Sequence, residues 1–426
     1  MTLLIKNGNV LDPATETDEE IDIFIEDGKI TKRGKKLKCK AERVIDAAGS
    51  YVMPGFIDLH VHLRDPGYEE KETIASGVRA AAKGGYTTIL AMPNTKPVVD
   101  NADVVSYVHK KAESEGLTRV LQVGAVTKGQ QGEKLADIKG MVQAGSPAIS
   151  EDGKSVMRTD LYREAMKIAA ECKIPVLAHC EDIHLVQGGV VNADEITQKQ
   201  GLAGITNSVE DVIIARDIIL AKETGARLHL CHCSTKDSVT MVKQAKADGL
   251  PVTAEVCPHH FTLSTEDMVP YDTNYKMNPP LRTKADVEAL RQGLKEDIMD
   301  VIATDHAPHT KQDKNQSMQK APFGIVGIET VAALTYSELV LKGYLTPMQM
   351  AEKMSYNPAK ILHLANKGSL KPGKDADVVV IDPKESYVID VKDFVSKGKN
   401  TPFQGKKVNG KVKVTICGGR VVYEDK

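Results

Sequence analysis

Two histidines separated by a single residue, His60 and His62, are the first candidates for chemistry in this chain. Side chains two positions apart on a β-strand lie on one face, so a strand over residues 56–62 would direct both imidazoles towards one point. The same alternation predicts that the opposite face is filled by Ile57, Leu59, Val61 and Leu63. Because a catalytic zinc takes about three ligands from protein, the pair predicts part of a metal site.

Residues of ligand type also follow other short apolar runs. His179 and His232 end two of these runs, Asp305 ends a third, and Asp152 follows a fourth. Taken singly, each could be a structural histidine, a turn residue or a cap. With the first pair they supply four imidazoles and two carboxylates, which suit Zn²⁺ and leave Mn²⁺, Co²⁺ and Fe²⁺ open. Six ligands favour two ions bridged by Asp152, with a single ion as the alternative.

The middle of the chain alternates short apolar runs with amphipathic segments of helical period. Eight such runs between residues 55 and 365 predict a (β/α)₈ barrel of the TIM type, whose strand ends meet on one rim. A doubly wound open sheet, the competing arrangement, would spread the ligand residues apart. Residues 1–54 and 366–426 are β-rich and too short for separate cores, so we expect them to pair as one discontinuous, sandwich-like β domain.

Composition narrows the function classes. The chain has 426 residues, a net charge of −2, no tryptophan and 4% aromatic residues, which argues against nucleic acid and anionic lipid as partners. Its start lacks the pattern of a signal peptide, and it contains no apolar run of about 18 residues. Seven unpatterned cysteines fit a reducing compartment. We therefore expect a cytoplasmic protein.

Nine short motifs, spread over essentially the whole chain, resemble those of the amidohydrolase superfamily and, within it, class I dihydroorotases. They are His60-Val-His-Leu-Arg-Asp-Pro-Gly67, Ala91-Met-Pro-Asn-Thr95, His179-Cys-Glu-Asp182, His232-Cys-Ser234, Pro258-His-His260, Met277-Asn-Pro-Pro-Leu-Arg282, Ala303-Thr-Asp-His-Ala-Pro-His309, Pro322-Phe-Gly324 and Asn357-Pro358. Many superfamily members bridge their metals with a carboxylated lysine. Asp152 stands at that position here, as in the bacterial class I branch.

The resemblance implies reversible closure of N-carbamoyl-L-aspartate to L-dihydroorotate with loss of water, a step of pyrimidine biosynthesis. In the hydrolytic direction, metal-bound water with a pKa of about 7 would supply hydroxide, and the metal would polarise the ring carbonyl. The family pattern assigns the general acid–base role to Asp305, which would carry the proton to the departing ring nitrogen.

The resemblance also implies a set of substrate-binding residues. The residues implied for the substrate carboxylate are Arg64, Asn94 and His309, and the residue implied for the ring is Asn278. Pro322, Phe323 and Gly324 are also implied to bind the substrate. The planar fork of Arg64 suits bidentate carboxylate binding. The family does not use His259 and His260 as metal ligands, so we expect them either to be structural or to support the site residues from behind. The polar stretch 310–320 could be either a mobile loop over the site or an ordinary solvated loop.

Two other functions remain open at this stage. The first is another cyclic amidase, an allantoinase or a hydantoinase (dihydropyrimidinase), because several of the motifs are shared. The second is an inactive scaffold that binds a partner enzyme, although such a protein would be expected to lose ligands. The resemblance further suggests a homodimer and association with aspartate transcarbamoylase.

Overall fold

The computed structural model describes residues 1–425. Its first strands are β1 (Thr2–Asp12), β2 (Thr17–Glu26), β3 (Lys29–Gly34), β4 (Arg43–Asp46) and β5 (Tyr51–Pro54). The strands of the middle are β6 (Phe56–Val61), β7 (Tyr86–Ala91), β8 (Arg119–Gln122), β9 (Gly124–Ala125), β10 (Ile149–Ser150), β11 (Val176–Ala178), β12 (Val191–Asn192), β13 (Gly204–Ile205), β14 (Leu228–Leu230), β15 (Val252–Val256) and β16 (Val301–Ile302). The last strands are β17 (Val378–Val388), β18 (Lys407–Cys417) and β19 (Arg420–Glu424).

The helices lie mainly between the strands of the middle. They are α1 (Ile74–Lys83), α2 (Ala102–Glu115), α3 (Ile138–Gln143), α4 (Thr159–Cys172), α5 (Glu195–Lys199), α6 (Ser208–Thr224), α7 (Lys236–Ala247), α8 (Pro258–Thr262), α9 (Lys284–Lys295), α10 (Lys311–Lys314), α11 (Val331–Thr335), α12 (Pro347–Ala351) and α13 (Asn357–Ile361). The alternation of strands and helices predicted from the sequence is confirmed, and the protein is of mixed α/β class. Among the described residues, the helices are too short or too polar to cross a lipid bilayer.

The two ends of the chain meet in one eight-stranded sheet. Its strand order is β19-β18-β17-β5-β1-β2-β3, and β4 pairs with β1. Apolar side chains of both ends, such as Leu3, Ile5, Val378 and Ile416, pack into one cluster. Pairing between the ends follows from their β-rich sequences, whereas the domain limits at 54/55 and 365/366 stay a prediction.

The strands of the middle form two parallel ladders. One has the order β6-β7-β8 and the other β9-β10-β11-β14-β15-β16. Strands β8 and β9 follow each other in the chain with only Val123 between them. At the other end, Val61 forms an isolated parallel bridge with His306, and the N–H of His62 donates to the carbonyl of His306 at 2.9 Å. The carboxyl ends of both ladders therefore come together.

Strand β6 does not follow the simple alternation expected from its sequence. Ile57 and Leu59 pack in one cluster with residues of other strands of the middle, such as Leu90 and Leu177, whereas Val61 and Leu63 pack in the cluster that contains the buried faces of the helices. The prediction that all four share one face is wrong, because the ladder to β7 shifts register between Asp58 and Val61. The two histidines nevertheless reach the same site.

A buried carboxylate joins the two ends of the chain. Asp12, at the end of β1, is fully buried and pairs with Arg33 at 2.9 Å. It also accepts hydrogen bonds from Ser369 Oγ at 3.1 Å and from the backbone N–H of Leu370 at 3.0 Å. One side chain thus accepts hydrogen bonds from donors that lie more than 350 positions from it in the sequence.

Asp12→Ala should lower the free energy of unfolding by about 3 kcal/mol, because it leaves buried donors without an acceptor. Urea denaturation of the variant measures the loss. Asp18→Ala is the matched control, since the Asp18 carboxylate is exposed and accepts only a surface hydrogen bond from Asn9. Equal stability of the two variants would contradict the role given to Asp12.

Candidate functional site

The six residues predicted as metal ligands lie together at the carboxyl ends of the strands. His60 lies near the end of β6 and His62 directly follows this strand. Asp152 follows β10, His179 follows β11, His232 follows β14 and Asp305 follows β16. All six are buried, with exposed fractions of 7% or less. The structure therefore brings together residues that are up to 245 positions apart in the chain.

The carboxylate of Asp152 is at the centre of this cluster. Its Oδ1 lies 3.1 Å from His60 Nε2, 3.6 Å from His179 Nδ1 and 3.7 Å from His232 Nε2, and its Oδ2 lies 3.5 Å from His62 Nε2. Burial alone would raise the pKa of Asp152, but the charge and close approach of the surrounding imidazoles, His60 above all, hold it well below its usual range. Asp152 is therefore ionised.

Asp305 completes the cluster on the side of the first histidine pair. Its Oδ1 lies 3.2 Å from His62 Nε2 and 3.7 Å from His60 Nε2. Burial opposes ionisation, but the hydrogen bond with His62 and the charges of His60, His62 and His232 lower the pKa of Asp305 far below its usual value. The side chain is thus a carboxylate, able to accept a proton.

Two imidazoles face each other across the second half of the cluster. His179 Nδ1 and His232 Nε2 are 3.0 Å apart. The other ring nitrogen of His179 lies 3.1 Å from Glu181 Oε2, and Glu181 also accepts a hydrogen bond from Asn278 at 3.0 Å. A carboxylate behind a histidine fixes the tautomer and the orientation of the ring, so His179 presents Nδ1 to the cluster.

Glu255 performs the same task for the first histidine, and the sequence analysis missed it. This fully buried residue of β15 lies 3.1 Å from His60 Nδ1 and 3.0 Å from His229 Nε2, and it accepts the backbone N–H of His232 at 3.1 Å. Burial acts against ionisation, but hydrogen bonds with His229 and His60 lower the pKa of Glu255 to about 2. A glutamate inside the apolar run Val252–Val256 was the available signal, since an unpaired carboxylate is rarely buried.

Three of the site residues adopt an unusual backbone conformation. The φ angles of Arg64, His232 and Asp305 are 61°, 33° and 46°. Left-handed backbone costs a non-glycine residue about 1–3 kcal/mol, and such residues collect at functional sites. Here the strain places each side chain at the turn that leaves its strand.

The cluster forms the floor of a cavity of about 200 Å³. The residues that line the cavity include five of the six predicted ligands, all but His60. They also include most of the predicted substrate-binding residues, namely Arg64, Asn94, Asn278, His309, Phe323 and Gly324. Pro322 is not among the lining residues.

Arg64 and His309 share one side of the cavity. Arg64 Nε donates to the carbonyl of Pro308 at 3.3 Å, and its Nη2 lies 3.5 Å from His309 Nε2. His309 Nε2 lies 2.8 Å from the carbonyl oxygen of Phe323, which can only accept, so this nitrogen carries the proton. Burial and the charge of Arg64 lower the pKa of His309 to about 2, so its ring is neutral.

Asn94 contacts the metal-ligand cluster as well as the cavity. Its Oδ1 lies 2.9 Å from His62 Nδ1, and its Nδ2 donates to Asp152 Oδ2 at 3.4 Å. The Asn94 carbonyl oxygen can only accept, so His62 Nδ1 carries a proton, and Nε2, which contacts Asp305 Oδ1 at 3.2 Å, is the atom that would bind a cation. The amide thus orients a predicted ligand, a contact that its motif did not indicate.

The donor set fits a divalent metal. Within residues 1–425, His60 Nε2 and Asp152 Oδ1 are buried without a hydrogen-bond partner of good geometry, although they point at each other. A buried polar atom without a hydrogen-bond partner destabilises the folded protein unless an ion binds to it. The ligand atoms also form two compact triads that share His60, one with His62 and Asp305 and the other with Asp152 and His232. Imidazole and carboxylate donors match zinc chemistry.

The chain matches known protein families over nearly its full length. A model described as dihydro-orotase-like matches residues 49–238, and an amidohydrolase family model matches residues 287–423. The dihydroorotase of Pelotomaculum thermopropionicum is 49% identical over 100% of this chain and 99% of its own, and that of Acetivibrio thermocellus is 46% identical over 100% and 99%.

Solved structures with the same architecture include hydantoinases (dihydropyrimidinases). The L-hydantoinase (dihydropyrimidinase) of Arthrobacter aurescens superposes with a TM-score of 0.89 and 28% identity, covering 99% of this chain and 96% of that one. The D-hydantoinase (dihydropyrimidinase) of a Thermus species gives 0.83 and 27%, covering 99% and 95%. The sequence identity to the dihydroorotases is much higher and equally complete, so the chain belongs to the dihydroorotase family of the amidohydrolase superfamily.

Proposed function

We propose that this chain catalyses the reversible closure of N-carbamoyl-L-aspartate to L-dihydroorotate with loss of water. The observation that carries the proposal is one cavity in which a cationic side chain, Arg64, faces the cluster of imidazoles and carboxylates. A cyclic amide with an acidic substituent needs both features, since its carboxylate requires fixed donors and its ring carbonyl requires activation. The names of the relatives in the comparisons agree with this chemistry.

We infer that the two parallel ladders belong to one (β/α)₈ barrel. The junction of β8 and β9 joins the ladders at one side, and the bridge between Val61 and His306 joins them at the other. Such a ring explains why the ligand residues, each at a strand end, converge on one point.

We propose that the site binds two Zn²⁺ ions with Asp152 as the bridge. The central position of Asp152 supports this, because His60, His179 and His232 approach its Oδ1 and His62 approaches its Oδ2. When bound, the ions would activate water and polarise the ring carbonyl. A single ion held by His60, His62 and Asp305 remains the simpler alternative.

Asp305 would move the proton. In the hydrolytic direction its carboxylate accepts a proton from the attacking water, whose oxygen bonds to the ring carbonyl carbon. As the carbon–nitrogen bond breaks, Asp305 returns the proton to the departing nitrogen. In the direction of ring closure the same residue takes the proton from the ureido nitrogen. Its ionised state and its contact with His62 support this role.

We also propose that the chain works in the cytoplasm as a homodimer and associates with aspartate transcarbamoylase. The proposed location rests on the composition and the cysteine pattern, and the homodimer and the association rest on the family resemblance. Nucleic acid and membranes are not proposed as partners.

Purified protein should open L-dihydroorotate, while hydantoin, dihydrouracil and allantoin should react far more slowly, because these lack a carboxylate for Arg64. Arg64→Met should raise KM for dihydroorotate by about 10–100-fold, the size of a lost charged hydrogen bond. The loss of absorbance of the ring amide measures the rate of ring opening for each substrate and the KM of each variant. Arg79→Met, on the exposed face of α1, is the control. Preference for dihydrouracil or allantoin would replace this proposal with a different cyclic amidase.

Protein prepared without chelator should contain about two zinc ions per chain, and Asp152→Asn should retain one at most, because the bridge is lost. Elemental analysis after gel filtration gives the count. One ion in the wild-type protein would overturn the two-ion proposal while leaving the reaction intact. A content near zero, with no turnover, would favour the inactive scaffold.

Asp305→Asn should lower kcat by about 10²–10⁴-fold, the usual contribution of a general acid–base residue. The side chain keeps its size, so the melting temperature should change little. Steady-state kinetics in both directions, with metal content measured in parallel, test this. Asp248→Asn, at an exposed position after α7, should behave as wild type. A kcat within a few-fold of wild type for Asp305→Asn would remove the proposed role.

A further inference from the structure

We propose that Asn400 and Lys314 are positioning residues that hold the substrate-binding segment Pro322–Gly324, so that a C-terminal stretch of the chain completes the site. Neither residue lines the cavity formed by the predicted metal ligands, and both lie outside the motifs that indicated the site. The inference rests on the proposed function, because it assigns Phe323 and Gly324 to the substrate side of the cavity.

Asn400 links two loops that reach the cavity from different parts of the chain. Its side chain is buried, with 4% exposed. Nδ2 donates to the carbonyls of Ala307 at 3.1 Å and Gly324 at 3.0 Å, and Oδ1 accepts the backbone N–H of His309 at 3.0 Å. One amide therefore fixes the distance between the His309 loop and the Gly324 loop.

Lys314 holds the same segment from the other side. Its Nζ, at the end of α10, donates to the carbonyls of Lys276 at 3.2 Å, Pro322 at 3.1 Å and Gly324 at 3.0 Å. An ammonium has three donors, and three carbonyl oxygens use all of them. The stretch 310–320, expected as a polar loop, thus contains a short helix whose last residue is buried against the site.

Every carbonyl of the segment is held by a side chain. Pro322 accepts from Lys314, Phe323 accepts from His309, and Gly324 accepts from both Lys314 and Asn400. With its carbonyls turned towards these donors, the segment has one defined orientation towards the cavity. A misplacement of about 1 Å in such a segment can cost 10²-fold in rate.

Close packing leaves this arrangement little room to relax. Gly324 has φ 125°, and a Cβ there would lie 2.7 Å from Ala307 Cβ. A Cβ on Gly398 would lie 2.7 Å from both Pro308 Cβ and Val326 Cγ1. Both loops and the stretch that carries Asn400 therefore contact one another directly through glycines.

The stretch before Asn400 has its own attachments to the rest of the protein. Ser396 Oγ donates to the carboxylate of Glu72, and the backbone N–H of Lys397 donates to the same side chain at 3.2 Å. The N–H of Val395 donates to Glu329 at 2.8 Å. These contacts do not use the Asn400 side chain, so a substitution there should leave the stretch in place.

Kinetics of Asn400→Ala and Lys314→Met test the proposal. Each variant should raise KM for dihydroorotate by about 10-fold or more while kcat stays within about 3-fold, because the substrate side of the cavity is disturbed and the metal ligands are not. Zinc content should equal that of wild type. Asn366→Ala and Lys320→Met, two exposed positions, are the matched controls.

The double variant adds a second readout. Both residues donate to the carbonyl of Gly324, so the combined rise in KM should be smaller than the product of the single rises. Asn400→Asp keeps the acceptor for the His309 N–H but loses both donors, and it should raise KM at least as much as Asn400→Ala. An unchanged KM in the single variants, or an equal fall in kcat and zinc content, would overturn the positioning role.

Hydrogen exchange separates this proposal from the proposed function. Peptides that cover residues 305–326 should exchange faster in Asn400→Ala and Lys314→Met than in the controls, whatever substrate the enzyme uses. Faster exchange in a protein that does not open dihydroorotate would support the positioning role and refute the proposed substrate. Unchanged exchange would refute the positioning role by itself.

Discussion

The carboxylate of Asp152 is the group on which the site depends. Four imidazole nitrogens approach its two oxygens at 3.1–3.7 Å, and all five side chains are buried. Taking a carboxylate into such a place costs several kcal/mol unless charges and hydrogen bonds compensate. The imidazoles of the cluster supply this compensation. They can do so because strand β10 and the turn after it place Asp152 among the four histidines.

Histidine ligands orient poorly without support, and the fold provides that support from neighbouring strands. Glu255 lies behind His60, Glu181 behind His179 and Asn94 behind His62. Asp58, in β6, accepts a hydrogen bond from the backbone N–H of Thr304 at 3.1 Å and so connects β6 to the segment that follows β16. Partners of this kind commonly change metal affinity 10–100-fold when they are removed. The site therefore extends one layer beyond the predicted metal ligands.

The sequence was sufficient to predict which six candidate ligands the fold brings together, but not which residues hold them in place. His179, His232 and Asp305 could be found because each ends an apolar run, a signal local to the chain. The faces of β6 could not, since a register shift against β7 depends on the neighbouring strand. The contacts of Glu255 depend on which strands become neighbours, and no local pattern contains that information.

The same limit explains why the side chains that hold the substrate-binding segment Pro322–Gly324 could not be predicted from the sequence. A division of the chain into a catalytic middle and a terminal β domain assigns Asn400 to the latter. Its amide nevertheless joins Ala307, His309 and Gly324 across more than 75 positions. A loop that binds a small substrate has little buried apolar surface of its own, so its order must come from elsewhere. Side chains that donate to its carbonyls provide that order, and they can come from any segment that reaches the rim.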